Sequence, residues 1–288
     1  MTKIAVVADS NSGYTREEAM AEGVYLIPMP FYIDGKEYFE GVNLTQEEFY
    51  EYLESGAEVS TSQPSPESMI KMWDELLKIY DEVIYLPMSS GLSGTCQTAA
   101  MLAKDYDGKV IVVDNQRISV PLKHSVQDAL TLVNAGKSAE EIRAYLERTK
   151  FDSVVYITVA TLKYLKKGGR ITPAAAALGT LLKIKPVLQI RGEKLDSYAK
   201  ARTMSQAKNL MIEALKKDIE DMFDGNAREV HLDIAYTKNR EAAMEIKEQL
   251  EEAFEGCTVS IINPLSLSIA CHTGEGALGI ACTKKLIV

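Results

Sequence analysis

Apolar residues recur along this chain in two alternating patterns, short unbroken runs and spaced stripes. KIAVVADS, EVIYLPMS and KVIVVDN are continuous runs ended by polar residues, as in parallel strands buried on both faces. Between them lie stretches with helical spacing and N-terminal caps. Thr15 with Glu18, Thr45 with Glu48 and Ser138 with Glu141 each form the S/T-x-x-E capping pair. Ser65 stands before Pro66 at a first helical position, followed by a buried stripe of Met69, Met72, Trp73, Leu76 and Leu77. GTCQTAAMLAKDY and SVQDALTLVNAG read as further helices, and VYLIPMPFYIDGKEYFEG as strand, Asp-Gly turn, strand. Strands alternating with helices predict right-handed crossovers and a mostly parallel sheet with helices on both faces.

After Lys150 the rhythm is less regular. SVVYITV predicts a strand, and TLKYLKKGG a short helix with a glycine stop. PAAAALGTLLKIKPVLQI begins with helical small residues and ends as a strand. EKLDSYAKART reads as a strand pair or a strand edge, and MSQAKNLMIEALKKDIEDMF as a long amphipathic helix. EVHLDIAYT, REAAMEIKEQLEEAF and TVSIINPL read as strand, helix, strand, and TGEGALGIACTKKL finishes the chain. The fold class is therefore α/β in two parts, an N-terminal domain over residues 1–152 and a layered C-terminal domain over 153–288. Without a linker, the two should pack closely and leave a ligand cleft between them.

Composition narrows the partners. With 32 basic and 41 acidic residues the net charge is −9, which argues against nucleic acid or an anionic membrane. Four cysteines without C-x-x-C spacing or paired histidines give no zinc pattern. The N-terminal apolar stretch Ile4–Ala8 is too short for a signal peptide, and no run approaches a membrane span. The expectation is a cytoplasmic protein with no stable membrane insertion and no cofactor.

The chemistry-bearing residues gather at a few turns. In PMSSGLSGTCQTAAMLA, Ser89, Ser90, Ser93 and Thr95 crowd a glycine-rich strand-to-helix junction. Such a junction offers unpaired N–H groups and a helix dipole to an anion, while hydroxyls there also serve as ordinary caps. A serine nucleophile is the third reading, but Thr95 stands where G-x-S-x-G needs its second glycine. The base would have to be His124, His231 or His272, none placed by spacing. Ser197 and Lys200 match S-x-x-K without companion motifs. STSQPS, Ser60 to Ser65, reads as a Ser/Pro-rich loop with an N-cap. KKGGRI joins two glycines to three cations at a helix end, where Arg170 suits a carboxylate or phosphate. AKART offers Arg202, and CHTGEG offers His272 before a glycine turn.

Taken together, ADSNSG, STSQPS, SSGLSGT, LKKGGRI and HTGEGALG, in this order along the whole chain, resemble the DegV family of bacterial fatty-acid-binding proteins. The resemblance implies two α/β domains holding one long-chain fatty acid between them. Members of the FakB type present the acyl carboxylate to a separate fatty acid kinase subunit, which makes acyl phosphate for phospholipid synthesis. By motif, Thr61, Ser93 and His272 would hold the carboxylate, with Ser62, Gly94 and Thr95 as further candidates. Arg170 and Arg202 would flank the rim where phosphate appears and the kinase docks. The chain would then be a lipid-binding carrier with no catalytic residue of its own. A serine hydrolase of acyl esters, using Ser93 and His272, is the alternative, and a sensor of the same ligand a third reading.

Overall fold

The computed structural model describes residues 2–180 and 184–287. β1 (Ile4–Asp9) is buried at every position, as its unbroken apolar run requires. A tight helical turn at Ser10–Ser12 leads to α1 (Arg16–Glu22), which starts at the Thr15–Glu18 capping box. The next apolar stretch is interrupted at Pro28, so β2 (Val24–Ile27) and β3 (Pro30–Ile33) enter different sheets. β4 (Lys36–Phe39) follows an Asp34-Gly35 turn with both residues at positive φ, the tight hairpin pattern. α2 (Gln46–Glu54) keeps its predicted capping box.

β5 (Val59–Thr61) is a strand at the start of what the sequence suggested was a loop. Its pairing with β3, Val59 beside Ile33 and Thr61 beside Phe31, supplies what local propensity lacks. α3 (Pro66–Leu76) buries Met69, Trp73 and Leu76, while Met72 and Leu77 are only partly covered. β6 (Glu82–Leu86), α4 (Thr95–Leu102) and β7 (Val110–Val112) come next. α5 (Val120–Asn134) begins earlier than SVQDAL suggests, because Pro121 fits a first helical turn, and α6 (Ala139–Arg148) is capped by Ser138. β2, β1, β6 and β7 form a parallel sheet in that spatial order.

The second half comprises β8 (Ser153–Thr158), α7 (Lys163–Gly168), α8 (Pro173–Ala177), β9 (Lys185–Ile190) and β10 (Asp196–Ala201). Then come α9 (Met204–Phe223), β11 (Val230–Tyr236), α10 (Arg240–Ala253), β12 (Val259–Pro264), α11 (Leu267–Thr273) and β13 (Leu278–Lys284). The order in this sheet is β10-β9-β8-β13-β11-β12, antiparallel except for β11 beside β12. The last strand of the chain thus lies in the middle, between β8 and β11. A small antiparallel sheet, β4-β3-β5, is covered by α11, whose Leu267, Ala270 and Cys271 pack with Phe31, Ile33 and Phe49.

The four-stranded sheet draws on residues before 113 and the six-stranded sheet on residues after 152. α5 packs against β1 and also against β13 and β11, so one core cluster runs from Ile4 through Leu122 to Ile157 and Leu188. Among the described residues, no helix is long and apolar enough to cross a membrane.

Candidate functional site

The turn from β6 to α4 is built on Ser89, which is fully buried. Its hydroxyl donates to the Gly192 carbonyl and accepts the Gly91 N–H at 3.1 Å, tying the β9–β10 hairpin to this turn. The contact is tight: a Cβ on Gly91 would lie 2.7 Å from the Gly192 oxygen. Beyond it, half-buried Ser93 places its Oγ 2.8 Å from Thr95 Oγ1 and accepts the Thr95 N–H at 3.3 Å. Ser93 therefore does part of a cap's work, since Gly94 at the N-cap position has no side chain to offer. With Thr95 Oγ1 as the donor of that hydroxyl pair, the Ser93 proton is available to a ligand.

Thr61 ends β5 and His272 lies in the last turn of α11; their Oγ1 and Nε2 are 2.9 Å apart. A histidine that donates here leaves the threonine proton free to point at a ligand. The two glycines of KKGG have separate roles. Gly169, at φ +68°, is the left-handed stop of α7. Gly168 makes room for the imidazole: a Cβ there would sit 2.0 Å from His272 Nδ1. Next along, Arg170 donates from Nε to the Leu92 carbonyl at 3.2 Å and from Nη1 to the Gly168 carbonyl at 2.5 Å. These bonds fix the guanidinium beside both the Ser93 turn and the histidine. Burial lowers the His272 pKa from 6.5 to about 4, and the Arg170 charge pushes the same way. The ring is neutral at pH 7.

Thr61, Ser62, Ser93, Gly94, Arg170 and His272 line one cavity of about 210 Å³. The rest of its wall is mostly apolar, including Met29, Met88, Ile157, Ile190, Ile234 and Ile269. Thr95 is buried behind Ser93 and does not reach this surface. Arg202 is exposed at the β10–α9 junction, outside the cavity lining, with its backbone N–H on Gln206 Oε1 at 2.8 Å. Of the described residues in PAAAALGTLLKIKPVLQI, Ile190 faces the cavity, while Ala175 belongs to the core; residues 181–183 lie outside the described residues.

Three further lining residues were not singled out by sequence. Asn11 is buried after β1; its Oδ1 accepts from Ser266, at 2.6 Å, and from Ser268, which binds α11 to the first strand. Gln63 exchanges hydrogen bonds with Thr98 at 3.0 and 3.2 Å. Asp233 is wholly buried on β11, with both carboxylate oxygens 3.0 Å from His124 Nε2. The His124 ring in turn stacks on His231 at 3.8 Å between centroids. Only the Asp-Ser-Asn ending of the first apolar run hinted at Asn11.

An activated serine needs a base within hydrogen-bond reach. Here Ser93 Oγ is partnered by Thr95 and His272 Nε2 by Thr61, so the two form no hydrogen bond with each other. The arrangement is suited instead to holding an anion: two hydroxyls, a neutral imidazole and a fixed guanidinium at the polar end of an apolar cavity.

A family model described as "Uncharacterised protein, DegV family" matches residues 3–285. A DegV domain-containing protein of Staphylococcus aureus is 33% identical over 287 residues, covering 99% of this chain and 100% of that one. A fatty-acid-binding DegV family protein from Thermus thermophilus superposes with a TM-score of 0.88 at 33% identity, over 98% of this chain and 99% of that one. DegV of Bacillus subtilis, described as a fatty acid binding protein, gives 0.86 at 30% identity, over 99% and 100% of the two chains.

Proposed function

The chain belongs to the DegV family, and we propose that it carries one long-chain fatty acid, carboxylate at the Thr61–Ser93–His272 cluster and acyl chain in the apolar cavity. The observation that carries this reading is the gathering of Thr61, Ser93, Arg170 and His272 in one cavity whose lining is otherwise mainly apolar. Burial of an acyl chain contributes about 0.8 kcal/mol per methylene before the costs of binding, so the apolar wall supplies affinity and the polar end fixes orientation. Fatty-acid binding by the Thermus and Bacillus relatives supports the same reading.

The carboxylate accepts from Thr61 and Ser93 and lies beside Arg170. Held this way at the polar end of the cavity, it is the part of the ligand offered to a fatty acid kinase subunit, with the chain itself acting as carrier. Arg170 lines the site with Nη2 unpartnered among the described residues, a donor suited to an acyl phosphate.

Arg170→Ala should therefore retain bound fatty acid within about threefold of wild type, since the affinity is mostly apolar. The same variant should support at least about tenfold less acyl phosphate formation with a fatty acid kinase subunit and ATP, the loss of a charge-assisted hydrogen bond to the product. Loss of fatty acid in the folded variant would contradict this division. Incubation with a serine-directed phosphonate should label nothing; stoichiometric labelling at Ser93 would restore the hydrolase reading.

A further inference from the structure

Gly279 occupies the central strand β13 without either usual reason for a glycine. Its φ is not in the left-handed region. The three atoms nearest a Cβ built there are Tyr156 O at 3.5 Å and Ile157 Cβ and Cγ1 at 3.6 Å, ordinary packing distances. Gly168 and Gly91 differ, since neighbouring atoms already fill the space a side chain would need. In a strand interior, glycine is destabilising relative to a β-branched residue. A buried central strand would ordinarily carry valine or isoleucine here.

The cavity explains the vacancy. Gly279 pairs with Ala235 on β11 and with Ile157 on β8; two residues on, Ala281 pairs with Asp233 and Val155. Residues two apart on a strand share a face, and all six of these line the cavity. Gly279, Ala281 and Ala235 thus form a shallow trough across the middle of the sheet, bounded on β8 by the larger Ile157 and Val155 and on β11 by Asp233, whose carboxylate is engaged by His124. The same cavity holds Thr61, Ser93 and His272 at its polar end.

We propose that the absent side chain at Gly279 determines acyl-chain length: the chain lies across β13 at this point, and the bare backbone admits the longer fatty acids. The inference rests on the fatty-acid reading above and adds the residue that sets its specificity.

The test uses delipidated wild type, Gly279→Ala and Gly279→Val, each titrated with saturated fatty acids of roughly 12 to 18 carbons and followed by thermal unfolding. Gly279→Val should melt at or above wild type, because valine suits a strand. It should bind the longest acid about fifteenfold more weakly, the equivalent of about two methylenes left unburied, and the shortest within about threefold. Gly279→Ala should show about a fourfold loss on the longest acid alone. Wild-type-like binding of the longest acid by Gly279→Val overturns the inference, as does equal weakening at every length with the fold intact. If valine lowers the melting temperature, the long-to-short affinity ratio of Gly279→Ala decides. Wild type that binds no acid of any length overturns the fatty-acid reading itself, and does so before any variant is compared.

Discussion

Replacing Thr61 and Ser93 together by alanine should weaken fatty-acid binding about a hundredfold, and each single replacement about tenfold. A hydrogen bond to a charged group is worth about 1.5–3 kcal/mol, and about 1.4 kcal/mol is a factor of ten in affinity. With each bond taken near the lower end of that range, the two tenfold losses multiply to the hundredfold expected of the pair. Stability should change less. Both residues are half-buried, and the cap that Ser93 gives to the Thr95 N–H is worth about 1 kcal/mol. Thr61→Ser keeps the hydroxyl beside His272 and should recover most of the affinity. Calorimetric titration of delipidated protein measures all four variants. A double variant within about twofold of wild type would remove these hydroxyls from the site.

Gly168→Ala should be the most damaging single-carbon change near the site. The new Cβ would lie 2.0 Å from His272 Nδ1 and 2.6 Å from Cε1, so either the ring or the end of α7 must shift. Overpacking of this kind costs about 1–3 kcal/mol of stability, and losing the Thr61–His272 contact should lower fatty-acid affinity about tenfold. The histidine's own titration gives a readout that general destabilisation would not move. Buried in wild type, His272 titrates near 4; displaced toward water, it should move up toward its ordinary 6.5.

The sign follows from that depression. A histidine held below its unfolded pKa contributes stability that is full above about 6.5 and is lost as pH falls toward 4. That acid-sensitive contribution should shrink in Gly168→Ala. Gly169→Ala should instead cost about 1 kcal/mol, from forcing a side chain into the left-handed stop, and leave the histidine curve unchanged. NMR titration of the imidazole in delipidated protein makes the comparison; coincident curves for wild type and Gly168→Ala would refute the role given to Gly168. Loading wild type with fatty acid should also raise the midpoint, because a carboxylate favours the imidazolium. Superimposable curves with and without ligand would make His272 structural.

Elements with a strong local signal were legible in the sequence. Three capping boxes, the Pro66 start of α3 and the apolar runs of β1, β6, β8 and β11 all stand where the pattern indicated. β5 and α11 escaped notice for a shared reason. Each is only three and seven residues long, too short for a period to register, and each exists through contact with Phe31 and its neighbours elsewhere in the chain. The central position of β13 was equally hidden, since nothing local says which strands a final apolar run will join.

The site follows the same logic. Thr61, Ser93, Arg170 and His272 are far apart in sequence, and no spacing rule would group them; only the ordered set of motifs did so. What holds them, Gly168 as a seat for the imidazole and the Leu92 carbonyl as acceptor for Arg170, consists of backbone and shape effects invisible in residue types. Asn11 and Asp233 look like ordinary turn and strand residues until the fold turns them toward the cavity. Arg202, grouped with Arg170 by a short motif, lies on the exposed β10–α9 junction and carries its rim role as a proposal alone.

The most direct measurement is mass spectrometry of the freshly purified, denatured protein. Wild type should release about one equivalent of a long-chain fatty acid, roughly C16–C18, lengths whose buried methylenes can hold through purification. The Thr61→Ala/Ser93→Ala protein, purified alongside, should carry much less. Wild-type protein that releases no acyl chain, and takes up none when delipidated and offered one, would contradict the proposed function.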